Sequence, residues 1–208
     1  MKRLVLFLLV LGLGVSLFAQ AQLPQHYFAS GSWSLGDRLY QNDANARLAK
    51  VNVFAPQSGP MIYEFNVRYE GGIEDGHGGF GIHVFANNVL NRASWGNGQS
   101  YLLWLNYDDN PITRGIPRGF SAQVYRSISN SYMELMQSFD LNEFAYLLTY
   151  ENAQYEVPVR IWIDGNSGEV RVYDPTDLDY YWYFYIGSNL RGNWISLRTN
   201  GLGVSFGM

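Results

Sequence analysis

The chain has 208 residues, no cysteine, 18 acidic against 14 basic residues and an aromatic content of 16 %. A net charge of −4 argues against nucleic acid as a partner, because phosphate contacts draw on an excess of Lys and Arg. Without cysteine there is no disulfide framework and no thiolate zinc site, so a domain of this size must hold together by packing.

In chain order the first element is a leader. Lys2 and Arg3 form a positive start, Leu4 to Phe18 is an apolar run of 15 residues, and Ala19-Gln20-Ala21 is a small-x-small cleavage pattern. The run is short for a bilayer span, which takes about 20 residues. No cysteine follows it, which excludes a bacterial lipoprotein. Cleavage after Ala21 is expected, leaving Gln22 to Met208 as one exported domain of the bacterial periplasm or cell surface, with no transmembrane segment. That domain has 12 basic and 18 acidic residues, and Lys50 is its single lysine.

Short runs rich in Val, Ile, Tyr, Phe and Trp then recur, separated by Gly, Asn, Asp and Pro. They predict strands over Ser32–Tyr40, Arg47–Phe54, Met61–Tyr69, Phe80–Phe85, Ser100–Asn106, Phe120–Arg126, Tyr132–Phe139, Pro158–Asp164, Glu169–Tyr173, Tyr181–Ile186, Trp194–Thr199 and Leu202–Phe206. Alternation assigns faces: Val159, Ile161 and Ile163 lie opposite Arg160, Trp162 and Asp164, and Ile195 and Leu197 lie opposite Trp194, Ser196 and Arg198. Asp164-Gly165-Asn166-Ser167-Gly168 and Asn200-Gly201 read as hairpin turns. The segment Tyr107–Gly119, with two prolines, reads as a long surface loop. The best helical candidate is Leu141–Tyr150, with Asp140 as N-cap and Glu143 completing a capping box, although Phe144, Tyr146 and Leu148 also alternate like a strand. About a dozen short strands in one domain predict an all-β, two-sheet antiparallel β-sandwich of jelly-roll type with at most one short helix.

Several segments, taken together and in order, resemble the concanavalin A-like lectin/glucanase superfamily, in particular its laminin-G-like and 3-keto-disaccharide-hydrolase-like domains. They are GSWSLGDRLYQND (Gly31–Asp43), MIYEFNVRYEGG (Met61–Gly72), GFGIHVFA (Gly79–Ala86), GQSYLLWLNY (Gly98–Tyr107), VPVRIWIDGNSGEVRVYD (Val157–Asp174) and GNWISLRTNGLGVSF (Gly192–Phe206). The resemblance implies a jelly roll, and that architecture hosts lectins, enzymes and scaffolding domains alike.

Catalytic patterns are thin. Glycosidases of this fold carry carboxylates at alternate positions of one strand, and no strand here has that spacing; Glu64 and Glu134 stand singly. No catalytic residue and no metal ligand is therefore assigned. His26, His77 and His83 lack partners at i+4, and His83 reads as a hydrogen-bonded strand residue. The glycine-rich stretch Gly71–Gly79 lacks the Lys and helix of a phosphate cradle. The acidic turns at Glu74-Asp75, Asp108-Asp109 and Asp174, Asp177 and Asp179 leave calcium open as a cofactor, with solvated turns as the simpler reading.

The anomaly is Tyr180-Tyr181-Trp182-Tyr183-Phe184-Tyr185. Six aromatics in a strand point to both faces, so one set enters the core and the other meets a covering layer, a ligand or a partner. Rings two residues apart stand about 7 Å from one another, a stacking platform for the apolar faces of sugars. The candidate binding residues are Trp162, Tyr181 and Tyr183, with Arg160 for polar contacts and Trp104 if its strand is adjacent. The expected function is non-catalytic glycan binding on a concave sheet. The alternatives are a scaffolding protein packing on envelope proteins, such as a periplasmic flagellar sheath-type jelly roll, and a glycoside hydrolase with converging carboxylates.

Overall fold

The computed structural model describes residues 23–72, 76–148 and 155–207. The expected leader, the Glu74-Asp75 turn and the end of the expected helix lie outside them. Among the described residues, fourteen strands form two antiparallel sheets of seven. The first sheet runs β1 (His26–Ser30), β4 (Ala49–Ser58), β13 (Arg191–Asn200), β6 (His77–Ala86), β7 (Ser100–Asp108), β8 (Gly119–Ser127) and β9 (Met133–Asp140). The second runs β12 (Tyr181–Tyr185), β11 (Glu169–Tyr173), β10 (Val157–Asp164), β5 (Pro60–Gly72), β14 (Leu202–Gly207), β3 (Leu39–Gln41) and β2 (Trp33–Leu35). This is the expected β-sandwich.

The alternation read from the sequence sets the faces. Ile161, Ile163 and Val170 of the second sheet meet Val51, Val53, Ile82, Val84 and Leu197 of the first in one buried cluster. Phe206 sits in it with no exposed surface, its ring 6.0 Å from Phe65 and 6.3 Å from both Trp33 and Phe80. The turn after β10 forms as expected: Asp164 accepts from the Asn166 N–H at 3.0 Å and the Ser167 hydroxyl at 2.8 Å, and Gly168 takes φ +80°. These bonds, the Asn166 N–H first, hold the Asp164 carboxyl below its ordinary value.

Four local readings change. The run Ser32–Tyr40 is two strands, because a turn closed by the Gly36 N–H on the Arg38 carbonyl lets β2 fold back on β3. β1, between the leader and the first expected strand, was not anticipated. Asn200-Gly201 is not a hairpin: β13 belongs to the first sheet and β14 to the second, so the turn carries the chain across the sandwich. The helix is a 3-10 helix over Asn142–Leu148, started by Asp140 accepting from the Asn142 N–H at 2.9 Å. The surface loop holds, shortened to residues 109–118 by the extension of β7 and β8, with Ile112 97 % exposed.

Candidate binding site

Two outward faces carry unusual chemistry. The first is on the second sheet, where four neighbouring strands align their outward residues in cross-strand rows. Ile62 pairs with Trp162, Trp162 with Arg171, and Arg171 with Tyr183. In the adjoining row Glu64 pairs with Arg160, and Tyr173 with Tyr181. Arginines and rings interleave. The Arg171 guanidinium lies 4.5 Å from the Trp162 ring centroid and 5.0 Å from that of Tyr181, and Arg160 lies 5.6 Å from that of Tyr173. Carboxylates hold both arginines in place: Arg160 donates to Glu64 at 2.6 Å and Arg171 to Glu169 at 2.7 Å. Such stacking, with the charge paired at one edge, fixes the guanidinium planes over the rings.

Of the predicted residues, Arg160, Trp162, Tyr181 and Tyr183 therefore share one face. Tyr181, Tyr183 and Tyr185 are exposed on it, while Phe184 turns inward against Phe139 at 5.8 Å. Trp182 shares the inward side at the sheet margin and meets Phe144 edge-on at 5.9 Å. Arg171 and Tyr173 complete the face and were not among the predicted residues. Once Arg160-x-Trp162 is paired through the Asp164–Gly168 turn, register alone places them.

Trp104 does not join this face. Its strand, β7, lies in the other sheet, so no adjacency to β10 or β12 exists. There it belongs to a second outward face, built from the row Lys50, Arg198, Gly81, Trp104, Gln123 and Ser138, each paired with the next across six strands. The neighbouring row contains Asn52, Ser196, His83, Leu102 and Tyr125. Gly81 makes the arrangement possible: a Cβ there would stand 2.9 Å from the Trp104 ring and 2.2 Å from the Leu103 carbonyl. The indole thus lies down on β6, with the Arg198 guanidinium 5.8 Å from its centroid. Trp104 Nε1 donates to Asn106 at 3.1 Å.

A segment between β6 and β7, residues 87–99, closes over this row. Lys50 donates to Ser94 Oγ at 2.6 Å and Asn97 Oδ1 at 3.0 Å, and Arg198 Nη1 donates to the Trp95 carbonyl. Asn97 Nδ2 donates to Ser196 Oγ at 2.7 Å, and Asn52 Nδ2 to the Leu90 carbonyl at 2.9 Å. The Trp95 ring lies 5.4 Å from the Arg198 guanidinium carbon and is about half exposed, at 49 %.

Between the sheets lies a third feature, a cavity of about 340 Å³ lined by Phe65, Phe80, Leu105, Phe139 and Trp182 among others. Its walls are overwhelmingly apolar, with Gln123, Asp140 and Glu143 the few polar residues among them.

No family model matches the sequence, and no curated protein matches it. Solved structures do resemble it in shape. The carbohydrate-binding module CBM66 from Bacillus subtilis is 11 % identical over 89 % of this chain and 93 % of its own, with a TM-score of 0.51. A legume lectin-like domain from Entamoeba histolytica is 10 % identical, covering 88 % and 84 %, also at 0.51. The metal-free carbohydrate recognition domain of Emp46p is 10 % identical, covering 88 % of each chain, at 0.52. The fold is the concanavalin A-like jelly roll.

Within this jelly roll, His83 is a fully buried histidine whose Nδ1 lies 3.0 Å from Ser100 Oγ and whose Nε2 lies 3.4 Å from Arg198 Nη1. Burial, reinforced by the Arg198 and Lys50 charges, holds its imidazole well below the ordinary histidine value. The folded chain keeps His83 neutral while the unfolded chain takes up a proton near pH 6.5. Stability from this residue is therefore complete above that pH and is lost below it, at up to about 1.4 kcal/mol per pH unit. Urea unfolding at pH 7.5 and 5.0 measures the loss, and His83→Gln should flatten it. An unchanged slope in the variant would assign the acid sensitivity elsewhere.

In the described acidic turns the carboxylates accept from nearby backbone N–H groups. Asp108 accepts from the Asn110 N–H at 2.9 Å, Asp174 from the Thr176 N–H at 2.7 Å, and Asp177 from the Asp179 N–H at 3.1 Å. Glu64 is occupied by Arg160.

Proposed function

We propose that the protein is an exported, non-catalytic glycan-binding module whose ligand lies on the Trp162, Arg171, Tyr173, Tyr181 and Tyr183 face. The observation that carries this reading is the interleaved ladder itself. Partly exposed rings, with Tyr183 the most open, alternate with guanidinium donors that carboxylates already hold in position. Apolar sugar faces stack on the rings, and hydroxyls accept from Arg160 and Arg171. Pre-set side chains lose little freedom on binding, which favours affinity on an open surface. Support also comes from three solved structures of the same fold, which are named as a carbohydrate-binding module, a lectin-like domain and a carbohydrate recognition domain. Export follows from the leader pattern at residues 1–21, with the periplasm or cell surface as destination.

A glycan array with the mature chain tests the reading. Trp162→Ala and Tyr183→Ala are each expected to weaken the best ligand on the order of tenfold, about 1.4 kcal/mol, as loss of a central ring does. Unchanged binding in both variants moves the site off this face. A second reading rests on Ile62, an aliphatic side chain 62 % exposed at the end of the ladder. Tyr, Trp and Arg with an exposed Ile also suit a protein partner of the envelope. Ile62→Asp would then abolish co-purification with that partner while sparing any glycan signal.

A further inference from the structure

The outward face of the first sheet holds two cations that the sandwich does not neutralise. Lys50 and Arg198 face each other directly across β4 and β13, and both are buried, at 0 % and 2 % exposure. Like charges in cross-strand register repel, and a buried charge without a partner is among the costliest features of a fold. Neither residue is given a carboxylate partner among the described residues: Lys50 meets a hydroxyl and an amide, and Arg198 meets a carbonyl and the His83 ring. The central residues of the two rows, from Lys50 to Ser138 and from Asn52 to Tyr125, include no Asp or Glu. Arg38, the other deeply buried arginine, is the internal contrast, since its guanidinium meets Glu156, Asn66 and Ser205.

The pattern of used and unused donors on Arg198 is specific. Both of its protein contacts are made by Nη1, and Nε and Nη2 have no hydrogen bond to any described residue. Among the described residues, Thr199 Oγ1 is the one side-chain polar atom both sealed from solvent and unpartnered. The unused edge of Arg198 is therefore not completely sealed, although the residue as a whole is only 2 % exposed beneath residues 87–99. Nε and Nη2 together form the side-on fork that takes the two oxygens of a carboxylate. The half-exposed indole of Trp95 and the largely buried indole of Trp104 lie beside that guanidinium, their centroids 5.4 and 5.8 Å from its carbon.

We propose that this niche is a second binding site, distinct from the ladder, for the carboxylate of an acidic sugar, with Arg198 as its fork, Lys50 as the supporting charge and Trp95 and Trp104 as the walls. The choice of a sugar as carrier rests on the glycan reading above. The carboxylate supplies the counter-charge that the two buried cations lack. Residues 87–99, held down by the same two side chains, form the rim through which it enters.

Thermal unfolding of the mature protein, with the intrinsic tryptophan emission followed in the same titration, tests this with D-glucuronate as probe. D-glucose and sodium sulfate at matched ionic strength are the comparisons. At tenfold over the dissociation constant, glucuronate should raise the melting temperature by roughly 3–6 °C. Glucose and sulfate should not, and Arg198→Met should remove the response. Arg198→Lys keeps the charge without the fork and should weaken the response at least tenfold, which guards against a Met variant that folds poorly. Equal shifts with sulfate would overturn the sugar assignment in favour of a bare anion site, and no shift with any of the three would overturn the site. An Arg198 variant that responds like the parent would also overturn it. Array binding lost in Trp162→Ala but kept in Arg198→Met separates failure here from failure of the ladder.

Discussion

Replacing Phe206 with alanine should lower the stability of the domain by about 3–5 kcal/mol, the usual cost of emptying a buried phenylalanine site. The ring is wholly buried and stands within 6.3 Å of the rings of Trp33, Phe65 and Phe80, which come from both sheets. Because these neighbours sit on three different strands, they cannot collapse together into the space. The strand β14 itself is buried along its length. In a domain of this size each kcal/mol moves the melting temperature by roughly 2–4 °C, so a fall on the order of 10 °C is expected by calorimetry. Phe206→Leu should cost less than half as much. Equal losses for Leu and Ala would show that ring contacts, rather than lost volume, hold the two sheets together.

Arg38→Met should be nearly as damaging, at about 3 kcal/mol, for a different reason. Arg38 follows the turn between β2 and β3 and stitches the second sheet together. Its Nε donates to Ser205 Oγ at 2.7 Å, Nη1 to Asn66 Oδ1 at 2.6 Å, and Nη2 to the Ser205 carbonyl at 2.9 Å. Methionine fills the volume but leaves those acceptors in β14 and β5 unpaired, at about 1–3 kcal/mol for each one left buried. The ion pair with Glu156 at 2.7 Å contributes less, because the Glu156 side chain is 47 % exposed and returns to water. Urea unfolding of Glu156→Gln beside Arg38→Met separates the two contributions. If the Gln variant loses as much as the Met variant, the ion pair dominates and the hydrogen-bond account is wrong. The same pair of experiments frames Arg198: one buried arginine is fully engaged by the fold, the other keeps its carboxylate-binding edge unused.

Much of the sandwich was legible because β-structure writes its faces into a two-residue period. Val159, Ile161 and Ile163 against Arg160, Trp162 and Asp164 assigned β10 correctly, and the Asp164–Gly168 turn joined it to β11 as a hairpin. The same alternation put Arg160 with Trp162 and Tyr181 with Tyr183, but left open which late aromatics enter the core and whether the two pairs share a face. What failed was pairing at a distance. Asn200-Gly201 has the local chemistry of a hairpin, yet its flanking strands pair elsewhere: β13 lies between β4 and β6, and β14 between β5 and β3. Trp104 has the same ambiguity, since the apolar run Leu102–Leu105 around it is silent about which face it takes and which sheet carries it.

The amino-acid order alone determined the leader pattern, most of the strand content, which side chains of a strand share a face and the presence of many large rings. Those properties depend on neighbours within a few residues, where backbone geometry and the apolar period act. Only the tertiary structure decided that the late aromatic ladder is open on one side, that Trp104 belongs to the opposite sheet, and that Lys50 and Arg198 meet without a counter-ion. Those depend on which strands lie side by side, a choice made by burying residues far apart in the chain, and no local pattern encodes it.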